Sequence, residues 1–99
     1  MWILRSVTDG FPEKICRILP GAVRTMGRAV GADFIIDAAL VSRVHCRLTA
    51  LHDGGLEIKD LDSTNGTFVN GARIDTVRLT SGDHVQVGRV KFLALQDDD

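Results

Sequence analysis

The twelve residues Asp60-Leu61-Asp62-Ser63-Thr64-Asn65-Gly66-Thr67-Phe68-Val69-Asn70-Gly71, DLDSTNGTFVNG, contain two Asn-Gly pairs separated only by Thr67-Phe68-Val69. Asn-Gly is the strongest short hairpin signal, because a two-residue hairpin turn needs positive φ at both central residues. The β-branched and aromatic run between the pairs reads as a strand. One hairpin needs one such turn, so the stretch fixes β structure and leaves a turn over. Asp62, Ser63, Thr64 and Thr67 crowd around the first pair.

Outward from this stretch the period is two almost everywhere. Val44, Cys46, Leu48 and Ala50 alternate with His45, Arg47 and Thr49. Leu56 and Ile58 alternate with Glu57 and Lys59, and Val85 and Val87 with His84 and Gln86. Alternation of this kind marks half-buried antiparallel strands. Further strands are expected at Trp2–Val7, Lys14–Leu19, Val23–Met26, Phe34–Ile36, Thr67–Val69, Thr76–Leu79 and Val90–Gln96. Asp9-Gly10, Pro20-Gly21, Asp53-Gly54-Gly55 and Ser81-Gly82-Asp83 punctuate them as turns. No segment has a helical period. Many short strands at this spacing predict an all-β sandwich or barrel.

The 99 residues suit one domain, expected over 1–96, with 97–99 an acidic tail or the start of a linker. Apolar residues make up 44% and charged residues 25%, as in ordinary globular chains. No apolar run approaches the roughly 18 residues of a spanning helix, and the opening residues lack a signal peptide's basic leader. A cytoplasmic location is expected, or a nuclear one in a eukaryote, with no membrane partner. The net charge of −1 argues against nucleic acid, which calls for a basic domain. Cys16 and Cys46 have no metal-ligand spacing and read as buried thiols rather than a disulfide. His45, His52 and His84 sit on separate segments, so no metal and no cofactor is expected.

Polar and small residues gather in three loops: Met26–Gly31, Val41–His45 and Asp62–Thr67. Loops at one end of a sandwich converge in space. Arg28 and Arg43 supply guanidinium forks that match phosphate oxygens. Ser42, Thr64 and Asn65 supply hydroxyl and amide donors. Gly27, Gly31 and Gly66 permit close backbone approach. Together they suit a dianionic group. A catalytic reading of Ser42, His45 and Asp62 as nucleophile, base and orienter is disfavoured. Ser42 lacks a nucleophile elbow, and an extended Ser-x-x-His would separate the side chains by about 10 Å. No catalytic residue is assigned.

Gly27-Arg28, Ser42-Arg43-Val44-His45, Ser63–Gly71 and Ser81–Gly88 (GR, SRVH, STNGTFVNG, SGDHVQVG) together resemble the forkhead-associated domain family, in the family's order and spacing, over roughly Leu19 to Leu95. The resemblance implies a two-sheet antiparallel β-sandwich of about eleven strands with its binding loops at one apex. It implies a binding module, not an enzyme, that recruits a partner bearing a phosphothreonine written by a Ser/Thr kinase. Such modules read phosphorylated motifs through arginine clusters. By matching position, Arg28 and Ser42 would contact the phosphate, and Arg43 the phosphate or the peptide backbone. Thr64 would reach the phosphate and Asn65 the peptide main chain. Gly27, His45 and Gly66 would support the site. The isolated domain is expected to be monomeric. On this reading Asn70-Gly71 is the hairpin turn and Asn65-Gly66 a loop apex beside the ligand. A different class of role, phosphate-independent pairing or oligomerisation through a sheet face or edge, is the alternative.

Overall fold

A computed structural model describes residues 1–97, so most of the expected 97–99 tail lies outside the described residues. Eleven strands form: β1 Trp2–Ser6, β2 Ile15–Ile18, β3 Val23–Gly27, β4 Phe34–Ile35, β5 Cys46–Ala50, β6 Leu56–Asp60, β7 Thr67–Val69, β8 Ala72–Ile74, β9 Thr76–Leu79, β10 His84–Val87 and β11 Val90–Gln96. They build a six-stranded sheet, β2-β1-β11-β10-β7-β8, facing a five-stranded sheet, β4-β3-β5-β6-β9. The fold is the expected two-sheet sandwich with one departure. β3 and β4 pair in parallel, so the smaller sheet is mixed.

The inward residues of each strand make the core. Leu4, Ile18, Met26, Leu48, Leu56, Ile58, Val85, Val87 and Phe92 are fully buried. Burying each such side chain contributes about 1.5–3 kcal/mol. Cys16 and Cys46 join them as free buried thiols. Desolvation pushes the Cys16 thiol up to about 11, against a small opposing pull from Lys14. Desolvation, aided by Asp60 and Cys16, pushes the Cys46 thiol up to about 12.

Two local expectations are corrected. Val44 does not continue the alternation of β5; it is 47% exposed, because residues 41–45 curl instead of extending, and the strand begins at Cys46. The strand after Asn70-Gly71 is β8, which pairs with β7, and the chain then crosses to the other sheet, where β9 pairs with β6. Three residues are too few to display an alternation, so β8 has no periodic signature.

Register decides where the three polar loops go. Met26 at the end of β3 lies opposite Cys46 at the start of β5, and Cys46 lies opposite Asp60 at the end of β6. The loops after β3, before β5 and after β6 therefore leave the smaller sheet at one end.

Candidate functional site

The loop before β5 is the keystone of that end. The backbone N–H groups of Arg28 and Ala29 donate to the carbonyls of Ser42 (2.9 Å) and Arg43 (3.0 Å). This brings the two arginine-bearing loops side by side. Gly27 is required for the approach: a β-carbon there would run into the Arg43 carbonyl.

His45 is fully buried and bridges the second and third loops. Its Nδ1 accepts from the Ser42 backbone N–H at 3.0 Å, which leaves Nε2 to carry the proton of the neutral ring. Nε2–H donates to the Gly66 carbonyl at 2.9 Å. Residues 42–45 are thus not extended, and the 10 Å separation expected between Ser42 and His45 does not hold. The ring nevertheless faces the backbone N–H of Ser42, not its hydroxyl. The Ser42 Oγ accepts from the Thr64 N–H at 3.0 Å, so its own proton is left for another acceptor.

The third loop stands on Asp60. Its Oδ1 accepts from the hydroxyls of Ser63 and Thr67, and its Oδ2 from the Ser63 N–H. Burial alone would raise the Asp60 carboxyl, but these bonds from Ser63 and Thr67 outweigh it and hold the group below its ordinary 3.8. The Ser63 hydroxyl also accepts from the Gly66 N–H at 2.9 Å. The ring of bonds fixes Thr64 and Asn65 as the exposed tip of the loop.

Asn65 is tied down on one side only. Its Nδ2 donates to the Leu40 carbonyl at 3.1 Å. Leu40 is left-handed, with φ +70°, a conformation that costs a bulky L-residue about 1–2 kcal/mol. The Leu40–Val41 backbone is seated on Gly88, where a β-carbon would meet Val41 Cγ2 at 2.9 Å and the Leu40 carbonyl carbon at 3.1 Å. On the other flank, Arg73 of β8 lies across Gly66.

The structure therefore brings Arg28, Ser42, Arg43, Thr64 and Asn65 to one apex, over Gly27, His45 and Gly66. Arg28 and Arg43 are exposed, and neither is in the one ion pair among the described residues, Arg78–Asp53 on another part of the surface. The apex offers two unpaired guanidinium groups, a serine hydroxyl, a threonine hydroxyl and a partly engaged amide. It is a donor-rich surface suited to an anionic, hydrogen-bonding ligand. Arg73 carries no signal in the sequence, whereas Leu40 lies in the Asp37–Val41 loop before Ser42, which by the family resemblance faces residues that follow the phosphothreonine. Gly88 closes the SGDHVQVG motif, which is the one signal that marked it.

Comparisons with known proteins bear on the fold and the family. The family model described as FHA domain matches residues 24–88. An ABC transporter ATP-binding/permease protein of Mycobacterium tuberculosis is 51% identical over 74 residues, covering 75% of this chain and 8% of that protein. The glycogen accumulation regulator GarA of the same species is 33% identical over 78 residues, covering 79% of this chain and 48% of GarA. The chain thus spans half or less of the length of these relatives. Among solved structures, a domain described in a study of phosphothreonine-dependent FHA domain interactions superposes with a TM-score of 0.87 at 26% identity, covering 99% of this chain and 98% of its own.

Proposed function

The chain belongs to the forkhead-associated (FHA) family, and from that premise we propose that it binds phosphothreonine peptides and so recruits a kinase-phosphorylated partner in cytoplasmic signalling. The observation that carries this reading is that the loops bearing Arg28 and Ser42 are locked together by backbone hydrogen bonds, with Arg28 exposed and in no ion pair among the described residues and the Ser42 hydroxyl proton unused within the site. Arg28 and Ser42 take the phosphate, with Arg43 and Thr64 at its margin. Asn65 reads the peptide main chain with the N–H and Oδ1 left over from its bond to Leu40. The solved FHA domain described for phosphothreonine-dependent interactions supports the same ligand class.

Hydrogen bonds to a charged group contribute about 1.5–3 kcal/mol each. Several of them, less the cost of association, correspond to a roughly micromolar dissociation constant. The test is calorimetric titration with a phosphothreonine peptide and its unphosphorylated twin. Tight binding of the first alone, weakened about a hundredfold by Arg28→Ala, is the expected result. Equal binding of the two peptides overturns the proposal. Affinity should also fall as pH drops below about 6, where the phosphate gains its second proton.

A further inference from the structure

Arg73 is a guanidinium with no assigned task. It lies opposite Phe68 across the β7–β8 pair. From there its side chain reaches back over the apex loop. A β-carbon on Gly66 would meet Arg73 Nε at 2.9 Å, Cζ at 3.2 Å and Cδ at 3.3 Å. The guanidinium therefore rests against the residue that follows Asn65. Gly66 has no side chain, which leaves room for it. Arg73 is exposed and makes no ion pair or side-chain hydrogen bond among the described residues.

Charge matching makes the residue informative. A phosphate carries about −1.5 to −2 at neutral pH. Arg28 and Arg43 already match that charge. Arg73 is a third, surplus guanidinium, placed on the Asn65 side of the apex, where the peptide main chain is read. We propose that Arg73 forms a second anion subsite. It selects phosphothreonine ligands that carry another anionic group, a carboxylate or a second phosphate, on the flank that passes Asn65-Gly66. This rests on the phosphothreonine reading above.

The fork geometry of arginine pairs with either oxygen group through two parallel hydrogen bonds. Packing of the guanidinium against Gly66 limits the side-chain freedom that binding would otherwise remove. Because the subsite is exposed, the gain is modest and depends on salt.

The experiment uses a neutral Ala/Gly phosphothreonine peptide as reference. A single Glu is walked through the flanking positions, and at the best position it is replaced by phosphoserine. Each peptide is titrated into the wild-type chain and into Arg73→Gln. One flanking position should tighten binding about three- to fivefold with Glu and about tenfold with phosphoserine. In Arg73→Gln, the ratio of acidic to neutral peptide affinity should collapse to about one at that position. A gain with phosphoserine alone assigns the subsite to phosphate, and a gain with both to anions in general. If no position gains, or if the ratio survives in Arg73→Gln, the subsite does not exist. Failure of the neutral phosphothreonine peptide to bind the wild-type chain overturns the function itself, which separates the two claims.

Discussion

Asn65-Gly66 and Asn70-Gly71 share a dipeptide and almost nothing else. Asn70 and Gly71 both have positive φ, +50° and +85°, as a tight hairpin turn requires. Of the first pair only Gly66 does, at +90°. The polar groups of Asn70 close on neighbouring strands: its N–H donates to the His84 carbonyl, its Oδ1 accepts from the His84 N–H, and its Nδ2 donates to Asp83. Asn65 has one bond, to Leu40, and keeps an N–H and its Oδ1 in reserve. One turn is satisfied by the fold; the other is held in place by the fold with its donors left open. The dipeptide alone does not distinguish these two states. What surrounds it does, because Ser63, His45 and Asp60 hold the first turn from outside.

The largest expected effect attacks that external hold. His45→Ala leaves the Ser42 N–H and the Gly66 carbonyl without their partner and opens a cavity. A loss of about 3–4 kcal/mol in denaturant unfolding is expected. A loss under about 1 kcal/mol would mean that the first turn stands as independently as the second.

The next pair of substitutions separates binding from stability. Asn65→Ala should weaken a phosphothreonine peptide about tenfold in calorimetry while stability moves by no more than about 0.5 kcal/mol. Asn70→Ala should do the reverse. It removes two side-chain bonds and a residue suited to positive φ, and is expected to cost about 1–2 kcal/mol of stability with affinity changed less than twofold. Matching effects from the two alanines would erase the distinction between the turns.

The smallest effect is the acid titration of Asp60. Its folded-state carboxyl lies below the ordinary value of 3.8, so it contributes stability that is fully present above that pH. The contribution is lost as pH falls through the depressed value. Carbon-detected NMR should show Asp60 titrating below 3.8, and Asp60→Asn should flatten the acid limb of the stability curve.

The sandwich was legible because its strands alternate inward and outward residues, which is a local property. The apex was legible in large part because Gly27-Arg28, Ser42–His45 and Ser63–Gly71 are short contiguous motifs. What escaped depends on pairing. Arg73 reaches the apex only through the register of β7 with β8, and β8 itself is three residues long. The seat of Leu40–Val41 on Gly88 joins loops from opposite sheets, and neither loop signals the other in sequence. Val44 matched the alternation of β5 by coincidence, within a segment whose bonds to the β3–β4 loop keep it from extending.

The two buried thiols have a practical corollary. Cys16 and Cys46 are free but fully buried, and desolvation pushes both thiols up, so neither offers an accessible thiolate at neutral pH. Neither native thiol is exposed to a maleimide in the folded chain. A cysteine placed at Val30, 90% exposed on the loop that carries Arg28, would be the single site of labelling without removal of either native thiol. A dye there would sit at the lip of the apex and report ligand docking by its own fluorescence.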